Sequence, residues 1–235
     1  MLPKGSLGHS WCALRVLLEQ SGPAALSFLV GDSQSGYTSQ YGGFYQLARM
    51  VSLIKQEYGA KDNGKNTYIP LRIPGSPEEP QNLVPVDFAS RVIVHVMADE
   101  SLHGRIYHLT DPTPPTNAEI KRYMEEYFKM HGGFFTGETE PNEGDGPPDT
   151  LLWEQSKIVT PRIFHNPYFE QDNMTRVIQE AGIEFPAMNR ERFFTLIDFA
   201  IASRWGRGSN GKASGNGRAK TQSGSSVAGD LAAHP

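Results

Sequence analysis

The chain has 235 residues, with 22 Lys and Arg against 26 Asp and Glu and a formal net charge of −4. That length holds one domain of ordinary size, or one domain and a tail. The mild acidity and the lack of a dense Lys/Arg run exclude a nucleic-acid or anionic-lipid partner from expectation and leave small molecules and other proteins.

Trp11, Leu14, Val16, Leu17 and Leu18 cluster at helical spacing until Ser21-Gly22-Pro23 ends the pattern, which predicts an amphipathic helix. The one cysteine, Cys12, falls on that helix and reads as a small apolar residue; it has no internal disulfide partner, which suits a reducing compartment. Arg15, Glu19 and Gln20 interrupt the apolar stretch from Trp11 to Val30, so neither a signal peptide nor a membrane span is expected, and a cytoplasmic protein is. Leu26 to Val30 is a short apolar run stopped by Gly31, as on a strand covered on both faces.

Phe44, Leu47, Val51 and Ile54 predict a helix, and Tyr68 to Pro74 alternates between prolines as an edge strand does. Val84-Pro85-Val86 reads as a short buried strand before a helix through Met97, with Asp87 as its cap, and Arg105 to Pro112 as a further strand. Thr116-Asn117-Ala118-Glu119 has the capping-box spacing and opens a helix from Ile120 to Met130. Residues 132–150 lack an apolar period and read as a flexible insertion or lid. Two helices, Asp172 to Ala181 and Asn189 to Arg204, follow, and the Gly/Ser-rich stretch from Gly206 to Pro235 reads as a disordered tail.

Val84-Pro85-Val86-Asp87-Phe88-Ala89, then Gly104-Arg105-Ile106-Tyr107-His108-Leu109-Thr110-Asp111-Pro112, and earlier Leu29-Val30-Gly31-Asp32-Ser33, resemble the C-terminal half of an extended short-chain dehydrogenase/reductase of the thioester reductase or fatty acyl-CoA reductase branch. The resemblance spans roughly residues 14–205 and implies an α/β, partial Rossmann-like, NAD(P)-binding fold. Its parts would be a core over 1–131, the insertion over 132–150, a helical substrate cap over 151–205 and the tail over 206–235. It implies a nicotinamide cofactor, NAD(P), and a small-molecule substrate carrying an acyl thioester or another carbonyl. Carried over by position, Ser27, Leu29 and Gly31 would face the cofactor, and Asp32, Ser33, Asp87 and Tyr168 the substrate.

Two devices of that chemistry are absent from these residues. No Gly-rich turn of the dinucleotide type follows a strand, and no tyrosine has a lysine four positions on. Ser6 and Ser10 stand where the family has its Tyr and Lys, and Ala25-Leu26 where it has Arg-Pro. The expectation is an N-terminally truncated or decayed reductase that neither binds the cofactor nor turns over alone. The alternative is a non-catalytic interaction module that offers an exposed sheet edge to a second copy or a partner chain. A third class, a Gly-Asp-Ser serine hydrolase with Ser33 as nucleophile, lacks its C-terminal Asp-x-x-His. The histidines show no metal-ligand spacing, so no metal is expected.

Overall fold

The computed structural model describes residues 28–59, 66–137, 145–156 and 169–207. In chain order these form β1 (Phe28–Val30), α1 (Phe44–Tyr58), β2 (Thr67–Ile73), β3 (Leu83–Pro85), α2 (Val86–Ala98), α3 (Asn117–Phe128), β4 (Met130–Phe135), α4 (Pro147–Ser156), α5 (Asp172–Glu180) and α6 (Arg190–Ala202).

The strands pair in two parallel couples. β1 lies beside β3 in the register Phe28 to Leu83, Leu29 to Val84 and Val30 to Pro85, and β2 lies beside β4. The second ladder slips between Tyr68 and Leu71, where Pro70 has no N–H to donate. Gly132 fills the opposite position at φ 111, and a Cβ there would sit 2.8 Å from the Ile69 carbonyl oxygen. Only glycine tolerates both the angle and the approach.

Neighbouring residues on a strand face opposite ways, and β3 uses this to divide two cores. Leu83 joins a cluster with Val30, Ala48, Ile54, Leu71, Met124, Met130, Leu152, Phe193 and Ile197. Val84 joins another with Phe88, Val92, Val96, Tyr107, Leu109, Met174 and Val177. On α2 the buried residues Phe88, Ala89, Val92 and Val96 form one stripe, as a helix packed on a core requires.

α3 starts as its sequence predicts. Thr116 Oγ1 accepts from the Glu119 amide at 3.3 Å, and a Glu119 carboxylate oxygen accepts from the Thr116 amide at 3.0 Å. The helix ends two residues short of Met130, because Lys129 turns left-handed at φ 52 and β4 begins at once.

Several expectations need correction. Within 132–150, read as a flexible insertion or lid, residues 132–135 are strand and α4 begins at Pro147. The glycines in Met130–Phe135 conceal a ladder whose backbone hydrogen bonds need no apolar period. Arg105 to Pro112 forms no regular strand; Tyr107, Leu109, Thr110 and Asp111 are nonetheless buried. The stretch is held instead by side-chain contacts, among them the Asp111 amide donating to Asn82 Oδ1 at 3.1 Å. Among the described residues of 151–205, Leu152 and α6 pack into the first core and α5 into the second. The helix expected over Trp11 to Gln20, Cys12 on it, Ser27, Tyr168 and the tail from residue 208 lie outside the described residues.

Candidate functional site

The C-terminal ends of parallel strands are where open α/β sheets place ligands, and the loop after β1 meets the start of α2 there. Gly31 leaves β1 and donates its N–H to Tyr45 Oη at 2.8 Å. Tyr45 is 1 % exposed, and burial pushes its hydroxyl pKa up to about 12. A Cβ on Gly31 would meet the Gly36 carbonyl oxygen at 2.5 Å. The glycine is therefore required by its own loop, and the space beside it is already filled by protein.

Asp32 ties the turn together. One carboxylate oxygen accepts from the Ser35 hydroxyl and amide, both at 2.7 Å, and from the Gln34 amide at 3.1 Å. The Ser35 hydroxyl, then its amide, holds the Asp32 pKa below the usual carboxylate value.

Ser33 is buried and meets Asp87, which is far off in sequence. The Ser33 amide donates to Asp87 Oδ1 at 2.9 Å and the Ser33 hydroxyl to Oδ2 at 2.8 Å. Asp87 was expected to cap α2; instead Pro85 holds the cap position and Asp87 lies in the first turn, where the helix dipole favours an anion. Its carboxylate is spent on fastening the β1 loop to α2.

Beyond this pair opens a polar cleft of about 390 Å³. Arg91, one turn along α2 from Asp87, and Arg192 on α6 stand on its walls with Gln34, and the Glu184 to Ala187 segment closes it. Arg192 Nη1 donates to the Ala187 carbonyl at 2.7 Å and Arg91 Nη2 to that of Glu184 at 3.4 Å. Phe185 seats edge-on against Phe88 at 4.7 Å, which anchors the closing segment.

The structure thus joins Gly31, Asp32, Ser33 and Asp87 around one loop. Leu29 stays on β1, 41 % exposed. Arg91 escaped the sequence reading although its spacing of four from Asp87 puts both on one helix face. Arg192 carries no such signal, because only the chain path through Glu184 to Ala187 brings it to the cleft.

The arrangement can bind and orient a polar group: the Ser33 proton points to Asp87, its oxygen lone pairs can accept, and the two guanidinium groups donate. Among the described residues lining the cleft the groups able to exchange a proton are the carboxylates Asp87 and Glu184, and none is His, Lys, Tyr or Cys. Among the described residues Ser33 has a carboxylate, Asp87, at the place where a serine hydrolase needs a histidine. Among the described residues no group of His, Cys, Asp and Glu is placed to hold a metal ion. No helix of the described part is long and apolar enough to cross a membrane.

Among solved structures the chain is similar to the terminal R domain from the myxalamid PKS-NRPS biosynthetic pathway, with a TM-score of 0.53, 15 % identity, and coverage of 75 % of this chain and 42 % of that one. The fold is α/β and Rossmann-like. In sequence the chain is similar to the nonribosomal peptide synthetase FrzA from Cladobotryum sp, 25 % identical over 219 residues, 84 % of this chain. It spans about a fifth of the length of that curated relative. No family model matches the chain.

Set against that fold, the loop at Gly31 and the start of α3 are occupied by the protein's own groups. The start of α3 is closed by its capping box, while the start of α2 has no side-chain cap and carries the Asp87 carboxylate in its first turn, a charge that repels a pyrophosphate. The space a close-approach glycine would leave at Gly31 is filled by Gly36 and Tyr45.

Proposed function

We propose that this chain supplies the substrate-facing wall of a reductase-like protein, one that recognises an acyl-thioester or related carbonyl substrate and does not carry out hydride transfer by itself. The observation that carries the reading is the Ser33–Asp87 clamp under a polar cleft at the carboxyl ends of β1 and β3. The likeness to an R domain and to a peptide synthetase supports the reductase-like descent. In this sequence no tyrosine has a lysine four positions on, and the described lining of the cleft holds only carboxylates as proton-exchanging groups, which favours recognition over hydride transfer as its part. The test is a titration with an acyl N-acetylcysteamine thioester followed by amide NMR. Shifts confined to residues 31–35, 87–91 and 184–192 support the reading, and shifts elsewhere or none overturn it.

A second reading, an interaction module, is favoured by Tyr68 and Phe134, which stand 64 % and 47 % exposed on the β2–β4 couple. Aromatic side chains on a two-stranded couple suit contact with a second copy or another chain. Light scattering of the native chain and of Tyr68→Ser with Phe134→Ser separates the two: a mass that falls to the monomer value only in the double variant favours the module.

A further inference from the structure

Among the described residues the first core leaves a space. An apolar cavity of about 100 Å³ opens among β1, α1, β2, α3, β4 and α4, walled by Phe28, Leu47, Val51, Ile73, Ile120 and Met124. Interiors ordinarily keep few voids larger than a water molecule, and two hydrogen bonds brace the elements around this one. Glu125 Oε1 accepts from the Gly133 amide at 3.0 Å, fixing α3 to β4. Lys55 Nζ donates to the Lys129 carbonyl at 2.9 Å, fixing the end of α1 to the same junction.

The polar groups near the cavity are turned to one another. Lys121 Nζ pairs with Glu125 Oε2 at 2.8 Å, and Asn117 Nδ2 donates to the Ser76 carbonyl at 2.9 Å. A water molecule needs two to four polar partners, so a site of this kind stays dry and takes apolar guests. An apolar cavity of about 150 Å³ admits benzene, so this one matches a single ring or a short alkyl chain.

We propose that this cavity is a binding site for a small apolar group, one aromatic ring or a short alkyl chain, distinct from the Ser33–Asp87 cleft. It touches the first residues of β1 and β3, Phe28 and Leu83, whereas the cleft lies past their last. The two sites therefore occupy opposite ends of that strand couple, and this inference does not depend on the reductase-like reading.

The test is fluorine NMR of fluorobenzene titrated with the full chain. A saturable shift is expected, weakened about tenfold or more by Met124→Trp, which fills the cavity, and unchanged by Val94→Ser on the exposed face of α2. If Met124→Trp does not fold, Leu47→Ala carries the test: enlarging the cavity should improve binding of butylbenzene relative to fluorobenzene. No saturable shift up to the solubility limit, or binding insensitive to both cavity variants, overturns the proposal.

Discussion

Cutting the Asp87 carboxylate away should cost far more stability than cutting away the hydroxyl it holds. Asp87 accepts two hydrogen bonds from Ser33, one from a backbone amide in a residue only 6 % exposed. Asp87→Ala strands that amide, a penalty of about 1–3 kcal/mol, and forfeits an anion in the first turn of α2, worth about 0.3–1 kcal/mol. Together these amount to about 1.3–4 kcal/mol, or about 3–16 °C in Tm for a chain of this size. Ser33→Ala keeps the amide bond and loses one hydroxyl contact, about 1 kcal/mol. Asp87→Asn should fall between them, since one amide oxygen can still accept from the Ser33 N–H. Urea melts followed by far-UV circular dichroism give the three values. An Asp87→Ala cost no larger than that of Ser33→Ala would refute the clamp.

Three further outcomes follow from the same contacts. Asp111 is 1 % exposed, and one of its oxygens has no hydrogen-bond partner; burial raises its pKa from 3.8 to about 6. A raised carboxyl pKa means the folded state prefers the neutral acid, so its contribution is whole below about pH 4 and is lost as pH climbs through about 6. Asp111→Asn should match the native chain at pH 4 and exceed it at pH 7.5 by up to about 3 kcal/mol, read from denaturant midpoints; equal gains at both pH values would contradict this. Gly31→Ala should destabilise by about 1–3 kcal/mol, since the new methyl would lie 2.5 Å from a backbone oxygen, and a neutral thermal melt would show the loop to be pliable. Thr116→Ala should cost about 1 kcal/mol while Glu119→Gln costs less, because the glutamine still reaches the Thr116 amide.

Legibility in the sequence followed how local each signal is. α1 and α6 are marked by apolar spacing, α5 by the glycine stop at Gly182, and α3 by a capping box complete within four residues. β4 was hidden, because Gly132 and Gly133 break any apolar period while the ladder to β2 depends on backbone groups alone. The site was half visible. Gly31, Asp32, Ser33 and Asp87 were picked out through resemblance, yet Asp87 was taken for a cap because spacing cannot show that its carboxylate crosses to Ser33. Tyr45 and Arg192 reach the site through tertiary packing, which leaves no mark on neighbouring residues.

Fluorescence titration of the full chain with NADPH bears most directly on the central claim, that these residues wall a substrate cleft without gripping the cofactor. The account predicts no saturable change up to millimolar NADPH, and no NADPH oxidation with an acyl thioester present. Saturable binding at micromolar concentration would contradict it.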